Sequence, residues 1–444
     1  MAADVDRVNT GPRVVTATVV GTVIESYDLA LFGLGAALVF GDQFFPEARP
    51  GTAMLASLAT FAVGLLARPI GGIVMSHLGD RLGRVPVLVL TLLLMGTATV
   101  GIGVLPGYET IGVAAPVLLV LLRVAQGFGA GAEYVGAILV AAESGPRERQ
   151  GMRAALPSIG YFAGIVLATV TFAGFATLPP DQFAAWGWRV PFLLSVFTLA
   201  VGLYARMRIS ETEAFRASSE RPVRLPLWNL IRRRPGRLLI AFAANGPFVA
   251  IYYLVSVFLL SYVSRTLGLP PAVGLTANVV AGTAAVLAVP LFGRLVDLVG
   301  RRPVWFFGCL FLMAFAGPMI LLLDTGRPAL IVAAVALAMA VGLVAMGVAQ
   351  ASLFIEMFET RYRFSGVVVA RETSAALFGG PTPLVAAALV QAAGGASWPL
   401  AVLIVVLAAA SLVAVLFAPE TRAVDLAGQP VASRRPGSGT SSST

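Results

Sequence analysis

Long apolar runs alternate with short polar breaks along the chain, and the pattern recurs about twelve times. A helix that crosses a bilayer needs about 20 predominantly apolar residues. The first run covers about Val14 to Phe40, the second about Ala53 to Met75 and the third about Val87 to Leu105. The fourth lies between Gly112 and Ala142, the fifth covers about Ala154 to Leu178 and the sixth about Arg189 to Arg208. A polar stretch then breaks the pattern, and six more runs begin near Leu238, Ala272, Pro303, Ala329, Ser365 and Pro399. The predicted fold class is all-α integral membrane, with twelve transmembrane helices in two six-helix halves. Its parts are an N-terminal segment 1–13, a half 14–208, a central loop 209–237, a half 238–418 and a tail 419–444. The tail is rich in Ser, Gly and Arg, a composition that predicts disorder.

Composition agrees with this reading. Only 12% of residues are charged and mean hydropathy is +0.88, against about 25% charged in a soluble domain. The net charge of +9 does not call for nucleic acid, because the basic residues, all of them arginines, cluster in alternate loops. Cys309 is the one cysteine, so no internal disulfide is possible. His77 is the one histidine, which excludes a multi-histidine metal site. No cofactor and no metal is expected. Residues 1–13 lack a cleavable signal pattern.

Arginine placement sets an expected orientation. Arg81 and Arg84 follow the second run, Arg147, Arg149 and Arg153 the fourth, and Arg232, Arg233 and Arg234 the sixth. Arg294, Arg301 and Arg302, then Arg361 and Arg363, continue the series. The positive-inside rule places both termini and the central loop in the cytoplasm. The second run ends in Asp80-Arg81-Leu82-Gly83-Arg84, and the eighth in Asp297-Leu298-Val299-Gly300-Arg301. This repeated D-x-x-G-R marks the same place in each half, as expected of a transporter whose substrate site lies between two repeats.

Six stretches, in order, carry a resemblance: ESYDLALFG, SHLGDRLGR, RVAQGFGAGAE, WGWRVPFLL, MRISET and ALFGG. The chain resembles the major facilitator superfamily, and within it the metabolite:proton symporter group, over about Val14 to Thr421. That group includes transporters of proline and betaine, citrate, 2-oxoglutarate and shikimate. The resemblance implies alternating access in an inner (plasma) membrane, a small-molecule substrate that is an organic anion or zwitterion, and protons as the coupled ion. A monomer with no enzyme activity is expected. It also implies that the cluster of Asp80, Arg81, Gly83 and Arg84, with its second copy Asp297, Gly300 and Arg301, gates the cytoplasmic side. His77 reads as a loop residue.

Charges inside apolar runs mark candidate sites, because an intramembrane charge is costly and faces protein or a cavity. Glu25 and Asp28 are three residues apart and share a helix face. Two close carboxylates do not readily both ionise, which suits proton coupling; the alternative is structural pairing of one of them with Arg123. Arg123 can bind the substrate carboxylate or Asp28, and Gln126 shares its face. Glu133, ten residues on, is a third candidate for the proton. The glycines between them, Gly127, Gly129 and Gly131, allow close helix packing.

Arg371 and Glu372 depart from the group's pattern. Arg371 reads either as a second anion contact or as a charge that snorkels to the cytoplasmic boundary. Tyr252, Tyr253, Asn245 and Tyr161 are candidate cavity polar groups, though tyrosines in a span read first as ordinary packing residues. Trp186, Trp188 and Trp398 read as interface anchors. The best reading is proton-coupled symport of a small carboxylate or zwitterion. Rival readings are proton-coupled antiport that exports a metabolite or drug, and a transporter-like membrane sensor.

Overall fold

The computed structural model describes residues 5–47, 50–82, 84–131, 133–143, 147–207, 235–359 and 363–422. Among them every regular element is helical. Eleven helices are long and apolar enough to cross a membrane. They are Thr18–Leu38, Thr52–Met75, Ala114–Ala142, Gln150–Ala176, Pro180–Tyr204, Pro235–Thr266, Pro271–Val299, Arg301–Asp324, Pro328–Met357, Arg363–Ala392 and Trp398–Leu416. A shorter apolar helix, Val89–Val104, follows the second of these and completes twelve crossings, called spans 1 to 12 below. The central loop and the tail expected at 209–237 and 419–444 lie largely outside the described residues, as does Gly83.

Only a helix satisfies every backbone group within a single membrane-crossing segment, which is why such Leu-, Val- and Ala-rich runs adopt it. Pro69, Pro157, Pro247, Pro290 and Pro318 sit inside helices, a placement that spans tolerate when neighbouring groups take up the freed carbonyls. Span 4 is made of two helices, Ala114–Ala130 and Glu133–Glu143. Span 6 starts earlier than the apolar pattern indicates. Pro180 opens a helix that runs through a π-turn at Phe183–Gly187, so the aromatic stretch before Arg189 belongs to the crossing. Trp188 is correspondingly no interface anchor: it is fully buried against Phe40, Phe44 and Phe192. Trp186 and Trp398 are exposed.

The halves meet along four seams. Span 5 packs on spans 8 and 10, span 2 on span 11, span 1 on span 7, and the second helix of span 4 on spans 10 and 11. At the end of the bundle that holds the arginine-rich loops, Asp297 of span 8 accepts hydrogen bonds from the backbone of span 5. At the opposite end, Arg265 of span 7 pairs with Asp42, just past span 1, at 3.1 Å.

Within the first half, spans 2 and 4 touch backbone to backbone. A Cβ added to Gly127 would stand 2.0 Å from the carbonyl oxygen of Gly64. No side chain larger than hydrogen fits there, so glycine fixes the approach. Gly127→Leu is therefore expected to push spans 2 and 4 apart and destabilise the bundle by about 1–3 kcal/mol or more, the usual range for overpacking. Thermal unfolding of the detergent-purified chain reads this directly. Gly174→Ala, inside a helix at a position with nothing within 4 Å, should not lower the midpoint, because Ala is the better helix former.

Candidate functional site

Four charged side chains meet in the middle of the bundle, where the two halves face each other. Arg68 on span 2 is the hub. Its Nη2 donates to Oε1 of Glu25 on span 1 at 3.0 Å, and its Nε donates to Oε2 of Glu372 on span 11 at 2.7 Å. The same Nη2 donates to the carbonyl oxygen of Ala130, at the end of the first helix of span 4. All three side chains are buried, Arg68 at 4% exposure. Arg371, the neighbour of Glu372, donates through Nη1 to the other Glu372 oxygen and lies over the ring of Tyr134, 4.5 Å from its centre. Adjacent residues on a helix point about 100° apart, but the long arginine stem folds back far enough to reach the glutamate. Nearby, Asn245 donates to Ser374 and to the carbonyl oxygen of Arg371, and Gln350 donates to Asn245. These bonds hold span 11 to spans 7 and 10 beside the charges.

The cluster borders a narrow cavity lined by Arg68, Arg371 and Glu372, by Tyr134, Tyr161, Tyr252 and Tyr253, and by Ser158 and Gln350 among apolar side chains. A second, smaller cavity shares Leu29, Tyr161, Tyr252 and Tyr253 with the first. Its remaining walls are mostly apolar, with Ser26, Thr169, Ser256 and Asn278 as polar groups. The charged chamber and the apolar chamber thus meet at a partition of three tyrosines and a leucine. Tyr252 and Tyr253 stand in the wall of the charged chamber, and Arg371 and Glu372 face it; they do not reach a boundary.

Asp28 and Arg123 form a separate group. Asp28 accepts from Ser195 of span 6 at 2.9 Å, and Thr99 of span 3 is a further side-chain partner. Arg123 lies between the rings of Phe32 and Phe61, at 4.1 and 5.1 Å from their centres. Its Nη1 donates to Gln126, which in turn donates to Thr99 and to the backbone oxygen of Asp28. The expected pairing of Arg123 with the Asp28 carboxylate is not formed among the described residues. Gln126 stands between them, and aromatic faces take the place of a counter-ion. Neither Arg123 nor Gln126 lines the two cavities. Glu133 is partly exposed and points at Gly21 of span 1, with its Oε1 3.6 Å from where a Cβ would stand.

At the arginine-rich end, Asp297 receives the backbone N–H groups of Gly151 and Met152 at 2.8 and 2.9 Å. A carboxylate at the start of a helix satisfies unpaired donors and meets the positive end of the dipole. Arg301 forms a fork with Glu356 at 2.9 and 2.6 Å. Glu420 accepts from the backbone N–H groups of Arg301 and Arg302 that start span 9. Gly300 joins spans 8 and 9 at φ +107°, where an added Cβ would press on Glu420; glycine alone takes that turn without strain. The side chains of Asp80, Arg81, Arg84 and His77, and all of Gly83, lie outside the described residues.

The sequence reading passes over Arg68, the residue on which the site turns. The signal was present: an arginine in the middle of the second apolar run meets the same cost criterion that singled out Arg123. Gln350, which lines the cavity and ties span 10 to Asn245, carries no such signal, because an amide in an apolar helix is equally at home in packing.

The Major Facilitator Superfamily model matches residues 18–381. The chain is 36% identical to the shikimate transporter of Escherichia coli strain K12 over 83% of this chain and 86% of that one. It is 34% identical to the glycine betaine/proline/ectoine/pipecolic acid transporter OusA of Dickeya dadantii over 94% and 85%. Among solved structures, the xylose transporter XylE of E. coli in a partially occluded inward-open conformation superposes with a TM-score of 0.73, over 92% of this chain and 98% of that one, at 16% identity. That likeness is one of fold. With twelve crossings, a central cavity and relatives that carry metabolites, the chain belongs to the Major Facilitator Superfamily and is a multi-pass membrane transporter, not an enzyme.

Proposed function

We propose that the chain carries a small organic carboxylate across the membrane together with a proton, by alternating access around the charged chamber. The observation that carries the reading is the buried cluster of Glu25, Arg68, Arg371 and Glu372, set across the seam between the halves, three of whose members line one cavity. Two guanidinium groups at one cavity favour an anion, since their planar forks match a carboxylate. The tyrosines supply hydroxyls and ring faces for a compact body. The relatives include transporters named for shikimate and for betaine and proline. The two acidic residues, one on each side of the seam, offer places for a proton to travel with the cargo. In this reading the arginine-rich end faces the cytoplasm, by the positive-inside rule, and the D-x-x-G-R segments of both halves gate that end.

Uptake by the full chain in liposomes tests the proposal. With a lumen more alkaline than the medium, labelled shikimate should accumulate above its outside concentration, and a protonophore should abolish the accumulation. Accumulation that ignores the protonophore, or efflux driven by an inward proton gradient, would count against symport. Arg371→Gln should weaken binding of the transported carboxylate roughly 10- to 150-fold, the equivalent of losing one hydrogen bond to a charged group, about 1.5–3 kcal/mol. A titration followed by thermal shift measures it.

A further inference from the structure

The smaller cavity has a hydrogen-bonding inventory of its own. Spans 1, 2 and 5 of the first half and spans 7 and 8 of the second wall it, and among the described residues no charged side chain lines it. Its hydroxyl protons are already committed. Ser26 donates to the carbonyl oxygen of Thr22 at 2.6 Å, Thr169 to that of Ile165 at 2.7 Å and Ser256 to that of Tyr252 at 2.8 Å. A hydroxyl has one proton and two acceptor lone pairs. With its proton on a backbone carbonyl, Ser256 can only accept from the Tyr252 hydroxyl, its side-chain partner, and Tyr252 in turn only from Tyr161. The protons thus run one way, from Tyr161 to the backbone of span 7. Asn278 of span 8 donates one N–H to the carbonyl oxygen of Ser256 at 3.0 Å, and its Oδ1 forms no bond among the described residues. What the chamber shows a guest is therefore mostly oxygen lone pairs. The donors left over are the second N–H of Asn278 and the hydroxyl of Tyr253.

We propose that this chamber is a specificity subsite for a neutral hydroxyl of the cargo, read by Asn278 and Thr169, so that the chain selects hydroxylated monocarboxylates. The proposal rests on the carboxylate reading of the adjoining charged chamber. The two cavities share a wall, so a cargo whose carboxylate lies on Arg371 presents its far end to the smaller one. That space takes little more than a water-sized group, which a hydroxyl matches. A hydroxyl donates to Asn278 Oδ1 or Thr169 Oγ1 and still accepts from the spare N–H of Asn278. A second carboxylate brings only acceptors to a wall of acceptors, with no cation to receive it. An ammonium at the far end meets acceptors but no anion, and a charge buried without a partner is costly. A bare hydrocarbon strips the Asn278 amide of water and leaves it unpaired. Each alternative fails for a different reason. A hydroxyl is small, uncharged and able to give a proton, which are the three conditions the wall sets.

Three carboxylates separate these cases: shikimate, cyclohex-1-ene-1-carboxylate, which is shikimate without its hydroxyls, and cyclohexane-1,4-dicarboxylate, which carries a second carboxylate at the far end. Their affinities are measured by thermal-shift titration of the full chain in detergent. Shikimate should bind at least about tenfold more tightly than either of the others, since a site built to bond a hydroxyl rejects analogues that lack it. Asn278→Leu and Thr169→Val should each lower the ratio of shikimate to deoxy-analogue affinity by roughly 2- to 12-fold, the equivalent of one neutral hydrogen bond. Arg371→Gln acts on the carboxylate common to both and should weaken the two alike, with the ratio kept. Where a variant does not fold, the three probes on the native chain decide alone. Equal affinity for the three, tighter binding of the dicarboxylate, or a ratio that neither chamber variant moves would overturn the subsite and leave the carboxylate reading standing; the chamber is then a place for bound water. A native chain that binds none of the three overturns the functional reading and the inference with it.

Discussion

A guanidinium buried in the middle of a membrane protein needs partners, and most of the site is arranged to supply them to Arg68. Removing one partner of a buried pair typically costs about 3–5 kcal/mol, because a charge is left uncompensated. The two carboxylates that hold Arg68 come from opposite halves. The carbonyl oxygen of Ala130, at the end of the first helix of span 4, accepts from the same guanidinium. Span 4 can come close enough to offer that carbonyl because Gly127 meets Gly64 with no side chain between them. Local backbone geometry, close packing and the placement of charge are thus one construction.

The halves are held at three levels, and the holds differ in kind. The Arg265–Asp42 pair lies at the surface, with Asp42 70% exposed on its side chain, and exposed pairs contribute little, about 0–1 kcal/mol. Asp297 joins the halves at the other end through backbone N–H groups, which depends on where span 5 begins. The central bond is buried and charged. A rocking motion of the kind seen in packed bistable proteins has to exchange these contacts in turn. The outer two can be replaced by water as they open, whereas the central one can be replaced only by something charged or by a neutralising proton.

Much of this could be read from the chain. Twelve apolar runs, the repeated D-x-x-G-R and the six ordered stretches lead to the fold and the family, because hydrophobic length and loop charge act locally. Glu25, Arg371 and Glu372 stood out for the same local reason. What the residues could not convey was partnership. Glu25 and Asp28 are neighbours on one helix face, yet one serves the seam and the other turns to Ser195 on span 6. Arg123 seemed made for a carboxylate and instead rests between two phenylalanines. Such choices depend on how helices far apart in sequence are rotated against one another, and hydrophobic periodicity does not encode that when helices are apolar nearly all round.

The partition of Tyr161, Tyr252, Tyr253 and Leu29 between the two chambers separates two duties that many proteins mix. In the proposed mechanism the charges on one side decide how the cargo is energised, and the rings decide what shape can lie against them. A lineage of such carriers could therefore drift from one cargo to another by altering the partition and the apolar chamber, one side chain at a time, and keep the same fuel throughout.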